Sequence, residues 1–201
     1  EYLEKGFLNG GPLLGLPQVE ELRCELDRVF HDKDNKKRPQ PDSIGNWTGG
    51  GDASTSLWQI VNIWKASDAF RALVHHPRLT EMAADLLETK SLRVWHDQIQ
   101  YKPKKIGGMN FWHQDHPYWD ILDAPRQVTA WIALDEVDED NGCMYMVPGS
   151  HTWGNNIDFL HSLKSSDNFF VIPDRHAGHK IEVVARPVHA GHVHFHHALT
   201  W

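Results

Sequence analysis

The chain has 201 residues, 40% of them hydrophobic and 23% charged, an ordinary globular composition that excludes wholesale disorder. Its formal net charge is −7 and its Lys and Arg residues are scattered, which argues against a nucleic-acid partner. No apolar run approaches the ~20 residues of a membrane span, and two cysteines cannot build a disulfide framework, so a cytoplasmic protein is expected.

The abnormal counts are 15 His and 9 Trp. In chain order, residues 18–30 place Val19, Leu22, Leu26 and Phe30 at helical spacing and predict an amphipathic helix. Residues 31–57, with Pro39, Pro41 and the Gly49-Gly50-Gly51 run, read as a long loop. A helix start follows at residues 67–73 with Ser67 or Asp68 as N-cap, and residues 77–89 predict another helix.

The pattern then changes. Residues 92–102 and 127–137 alternate and are rich in β-formers. Asn141-Gly142 predicts a hairpin between that second run and residues 143–147, because both turn residues tolerate positive φ. Residues 180–186 and 192–197 add two strands. Short strands with turn signals and no helices between them point to an antiparallel sandwich or barrel.

The chemistry concentrates in Trp112-His113-Gln114-Asp115-His116 and in a second run holding His189, His192, His194, His196 and His197. In an extended segment, residues i and i+2 face one side, so His113 and Asp115 can present an imidazole and a carboxylate to one point. His-x-Asp also arises by chance, in a surface loop where the acid merely orients its neighbour. A distant imidazole would complete the 2-His-1-carboxylate facial triad of non-haem Fe(II) oxygenases, which leaves three positions open for co-substrate and O₂. A fortuitous Zn- or Ni-binding His tract competes with that reading.

The segments Gln100-Tyr101-Lys102-Pro103, Trp112 to Trp119, Ala130 to Leu134, Asn141 to His151 and Gly191 to Trp201 resemble the phytanoyl-CoA dioxygenase family, in that family's order and over nearly the whole chain. The Asn-Gly to Pro-Gly-Ser-His block is the most specific piece. The resemblance implies an α+β, mainly β fold, a double-stranded β-helix (jelly roll, cupin-like) with N-terminal helices packed on it. Residues 1–201 would form a single dioxygenase domain, mainly helical over 1–90 and a jelly-roll core over 91–201. Fe(II), 2-oxoglutarate and O₂ follow as cofactor and co-substrates.

Residue by residue, the resemblance makes His113 and Asp115 the first two iron ligands. It assigns Gln98, Lys102, Trp131 and Gln59 to the 2-oxoglutarate pocket, with core packing as the plainer role for Trp131 and a solvated edge for Lys102. It puts the third ligand directly after Trp201 and the 2-oxoglutarate Arg beyond that, so the chain reads as stopping short of its last strand. The expected function is hydroxylation of a small organic substrate with release of succinate and CO₂. A non-catalytic, metal-binding jelly roll is the alternative, and a cupin-type isomerase or hydrolase a third. Neither the substrate nor the oligomeric state is legible.

Overall fold

The computed structural model describes residues 1–46, 56–105, 107–119, 126–163 and 171–201. Its elements begin with α1 (Tyr2–Lys5), β1 (Phe7–Pro12), α2 (Leu16–His31), β2 (Ser43–Asn46) and β3 (Trp58–Val61). They continue with α3 (Asp68–Val74), α4 (Pro77–Leu86), β4 (Gln98–Tyr101), β5 (Val128–Ile132) and β6 (Met144–Met146). The last are α5 (Ile157–Ser162), β7 (Arg175–His176), β8 (His179–Lys180), β9 (Val184–Arg186) and β10 (His192–His197). The described fold is mixed α/β, and all of its paired strands named here run antiparallel. The chain divides into two compact units, one of residues 1–13, 85–88 and 111–201, the other of 14–84 and 89–110.

In the second unit, α2 follows its apolar period and buries Val19, Leu22 and Val29. Its start is fixed locally, because Gln18 Oε1 turns back to accept the Gly15 N–H at 2.9 Å. Ser67 caps α3, its hydroxyl accepting the Phe70 N–H at 3.4 Å. The same hydroxyl donates to Glu25, whose carboxylate takes both Nε and Nη2 of Arg28 at 2.9 and 2.8 Å. Strands β2, β3 and β4 form one sheet in that order, with Ile60 paired to Ile99 and Gln59 to Gln100. Strand β2 lies inside the stretch expected to be loop; the rest of the expected Gly-rich loop at 47–55 falls outside the described residues.

In the first unit, β10 is central, with β1 on one side and β5 on the other. Gly6, at φ 85°, turns the chain from α1 into β1. A Cβ there would stand 2.5 Å from His151 Nδ1 and 2.6 Å from Thr200 Oγ1, so a side chain is excluded by space as well as by φ. A separate core gathers Trp112, Val147, Leu160, Ile181 and Trp201.

Two expectations are corrected here. The Asn141-Gly142 turn does not close a hairpin: β5 pairs with β10 and β6 with β9. The Asp138 carboxylate accepts the N–H groups of Asp140 and Asn141, and its backbone carbonyl accepts those of Gly142 and Cys143, which curls the chain into a wider turn. The strands are also not free of helices, since α5 lies between β6 and β7.

Candidate active site

His113 and Asp115 meet, but not by lying on a strand. Asp115 has helical backbone angles and opens a 3₁₀ turn over His116–Tyr118. What fixes the segment is Gln114, which is fully buried between the two. Its amide nitrogen donates to the carbonyls of Gly154 at 2.9 Å and Leu199 at 2.7 Å, and its oxygen accepts the Asn156 N–H at 2.7 Å. The His116 N–H adds a bond to the Ala198 carbonyl. The segment is thus tied to the end of β10 and to the loop before α5.

His113 Nδ1 lies 2.7 Å from the Phe111 carbonyl, so that nitrogen donates to the backbone and Nε2 is the one turned toward Asp115. Nε2 stands 3.5 Å from Asp115 Oδ1. An imidazole nitrogen and a carboxylate oxygen that face each other at this distance are bridged by a proton or by a metal ion. For comparison, cis ligands held ~2.1 Å from one ion stand about 3 Å apart.

The other carboxylate oxygen is fully engaged. Thr129 Oγ1 donates to Asp115 Oδ2 at 2.6 Å, and His196 Nε2 lies 3.2 Å from the same atom. Burial alone would raise the Asp115 carboxyl, but the hydrogen bonds and charges of His113 and His196 bring it well below the usual carboxylate range. The result is an imidazole and an ionised carboxylate side by side, the two donor types of a facial iron site. Among the described residues no group of three or more His, Cys, Asp or Glu side chains is arranged to hold a metal. His196 holds Asp115 Oδ2, as the partner of a ligand would.

Trp131 lies two residues after Thr129 in β5 and pairs with His194, while Thr129 pairs with His196. Strand alternation therefore puts Trp131 on the face that carries Thr129 and its bond to Asp115. In the second unit, the β3–β4 register sets Gln59 opposite Gln100 and Gln98 opposite Val61. Gln59, Gln98 and Gln100 thus share one face of that sheet, and Ile60 and Ile99 the other. Lys102 lies just past the end of β4 and is half-buried.

Thr129, and Gln114 as an anchor, were not singled out from the sequence. Thr129 was within reach, since it precedes Trp131 by the strand period of two. Gln114 carried no signal beyond its place between two candidate ligands.

Residues 2–201 match the family model described as phytanoyl-CoA dioxygenase (PhyH). An ectoine dioxygenase of Streptomyces avermitilis is 29% identical over 157 residues, covering 75% of this chain and 49% of that protein. An L-proline trans-4-hydroxylase of Streptomyces griseoviridis is 31% identical over 191 residues, covering 88% of this chain and 66% of that one. Among solved structures, the non-heme alpha ketoglutarate dependent carbocyclase SnoK from nogalamycin biosynthesis superposes with a TM-score of 0.72 at 26% identity, covering 99% of this chain and 72% of that chain. The chain spans about half the length of the ectoine dioxygenases it matches.

Proposed function

The chain belongs to the phytanoyl-CoA dioxygenase family, and we propose that it is an Fe(II)- and 2-oxoglutarate-dependent oxygenase that hydroxylates a small organic substrate. The observation that carries this is the facing pair His113 Nε2 and Asp115 Oδ1, with His113 Nδ1 and Asp115 Oδ2 both tied down behind it.

Iron, 2-oxoglutarate and O₂ supply the oxidising chemistry, with succinate and CO₂ released. His113 and Asp115 would hold the metal. The Phe111 carbonyl selects the His113 tautomer that can ligate. Thr129 and His196 keep Asp115 ionised and fix which of its oxygens is left to bind metal. Trp131, on the same face, is assigned to the 2-oxoglutarate pocket, and for Gln98, Gln59 and Lys102, which lie in the second unit, that role rests on the family resemblance alone.

The antiparallel sheets β1–β10–β5 and β6–β9 support a jelly roll in the first unit, although β1 comes from residues 7–12 and β4, at residues 98–101, pairs with β3 in the second unit instead. A cytoplasmic location is consistent with a chain that has only two cysteines, Cys24 exposed and Cys143 buried. Among the described residues no helix is long and apolar enough to cross a membrane.

The test is Fe(II)-dependent release of succinate from 2-oxoglutarate by the full-length protein, its His113→Ala form and its Asp115→Ala form. Both substitutions should abolish turnover while the melting temperature stays within a few degrees. Turnover by either variant at the wild-type rate removes the iron assignment. Metal binding by the wild type without any succinate marks the non-catalytic alternative.

A further inference from the structure

Two imidazoles on one face of β10 are each hydrogen-bonded at one ring nitrogen only. Arg186, in β9, donates from Nε to His194 Nε2 at 3.1 Å, and its Cζ stands 4.8 Å from the centroid of the Phe7 ring. His194 stacks on the same ring, with 5.9 Å between centroids. An arginine side chain has donors and no acceptor, so His194 Nε2 must accept and the ring's proton is on Nδ1. Full burial, followed by the charges of His196 and Arg186, pushes His194 down to about 3 and keeps it a neutral ring with that one proton. At the other end, Asp115 is ionised and can only accept, so His196 Nε2, 3.2 Å from its Oδ2, is the donor. In a neutral ring that leaves His196 Nδ1 with a lone pair.

The two Nδ1 atoms are thus one donor and one acceptor, and both are buried with no partner among the described residues. Strand alternation sets them on the same side of β10, where His194 pairs with Trp131 and His196 with Thr129 of β5. Their ring centroids are 6.1 Å apart, which keeps the nitrogens beyond a direct bond. Two hydrogen bonds of ~2.9 Å meeting at one oxygen suit rings at that separation. Buried polar atoms are rarely left unmatched in proteins, and a bound water is the common partner where a donor and an acceptor lie this close together.

We propose that a buried water joins His194 Nδ1 to His196 Nδ1, completing a one-way chain of hydrogen bonds from Arg186 to Asp115, and that His194 is a positioning residue for that carboxylate. Every donor in the chain points toward Asp115: Arg186 Nε–H to His194, His194 Nδ1–H to the water, the water to His196, and His196 Nε2–H to Asp115 Oδ2. Successive bonds in one direction polarise one another, so the charge of Arg186 strengthens the last of them. Reversing His194 would set two N–H groups against each other, and reversing His196 would set a lone pair against a carboxylate. The chain therefore fixes which His196 nitrogen meets Asp115, and through it leaves Oδ1 turned to His113. The role at Asp115 rests on reading His113 and Asp115 as the reaction pair; the water and the two ring tautomers do not.

The experiment is ¹H and ¹⁵N NMR of the histidine rings in the metal-free, full-length protein above neutral pH, beside an Fe(II) titration. His194 should carry its proton on Nδ1, in slow exchange and with a cross-relaxation peak to a long-lived water, and His196 should carry its proton on Nε2 alone. In His194→Leu the His196 Nδ1 resonance should move to that of an acceptor without a hydrogen bond. Fe(II) affinity should fall there by about threefold, less than for a group that touches the ligand itself. His194→Gln keeps an acceptor for Arg186 and a donor for the water, and should restore both readings. A His194 proton on Nε2, a His196 protonated on both nitrogens, or a His194 Nδ1–H without a water contact overturns the proposal. So does a folded His194→Leu protein in which either the His196 Nδ1 resonance or the metal affinity is unchanged. Where His194→Leu does not fold, the wild-type spectra decide. Those spectra need neither metal nor turnover, so the chain can fail while succinate release stands, and the reverse.

Discussion

The Thr129 hydroxyl donates a 2.6 Å hydrogen bond to Asp115 Oδ2, joining the middle of β5 to a turn 14 residues earlier. Short O–H···O⁻ bonds of this kind are among the stronger ones in proteins. This bond and the contact from His196 approach the same oxygen, which leaves Oδ1 as the atom facing His113.

Thr129→Val keeps the shape of the side chain and removes only that bond. It should lower Fe(II) affinity by about tenfold, in line with the loss of a partner that orients a metal ligand. Metal titration followed by succinate release measures it. The fold should survive, because valine suits a strand at least as well as threonine. An unchanged metal affinity would mean that His196 alone suffices to hold Asp115.

Gln114 gives a different signature. Gln114→Leu fills most of the same volume but strands the Gly154 and Leu199 carbonyls and the Asn156 N–H in a buried place. Unsatisfied buried groups cost about 1–3 kcal/mol each. Neighbouring backbone can relax toward water at Gly154, which is exposed, so a total loss of about 2–4 kcal/mol in chemical denaturation is expected. Activity should fall with stability here, whereas Thr129→Val should separate the two.

How legible these features were in the sequence follows their range. Helix α2 and the Ser67 cap of α3 depend on neighbours three or four residues away, and both stand where the pattern puts them. The pairing of β5 with β10 and of β6 with β9 depends on strands roughly 40 to 70 residues distant, and a local turn signal at Asn141-Gly142 pointed to the wrong partner. Helix α5 was invisible because six residues carry too little periodicity. At the site, His113 and Asp115 were legible as chemistry, although the reason given, a shared strand face, is not how they meet. Thr129 and Gln114 act through hydrogen bonds to residues far away in sequence, and such bonds leave no spacing to read.

The co-substrate assignment makes a kinetic prediction. Trp131→Ala and Gln98→Ala should each raise the apparent 2-oxoglutarate requirement by about tenfold, equivalent to about 1.4 kcal/mol of lost binding, while changing metal affinity less than twofold. Initial rates against 2-oxoglutarate concentration, beside a metal titration, distinguish the two effects. For Trp131 the competing role is packing within β5, which would lower the melting temperature and leave the 2-oxoglutarate requirement as it was.

Acid should destabilise the fold, and the balance of three groups decides the sign. Burial, helped by the charges of neighbouring histidines, pushes His197 down from its ordinary value near 6.5 to about 4, and His194 to about 3. Both are neutral when folded and take up protons once unfolded, so the stability they contribute is complete above pH 6.5 and is lost as pH falls toward 4. Asp97 opposes them. Burial raises its carboxyl from 3.8 to about 6, against the pull of the Ile63 and Trp64 N–H groups, and its Oδ1 has no partner. Its folded form prefers the proton, so this group destabilises the fold above pH 6 and that penalty vanishes by about pH 4. A tenfold change in acidity is worth about 1.4 kcal/mol, and two imidazoles displaced this far outweigh one carboxyl. The net loss between pH 6.5 and 4 should be on the order of 3 kcal/mol. His197→Asn should flatten the dependence, because the Asn oxygen can still accept the Leu199 N–H that His197 Nδ1 takes at 3.1 Å, without an ionisable ring. Asp97→Asn should stabilise the protein at pH 7 and steepen the loss on acidification, since it removes the one opposing contribution of the three. Urea denaturation at half-unit steps of pH measures all three proteins. A wild type that gains stability from pH 6.5 to 4 would show that the histidines are not held neutral.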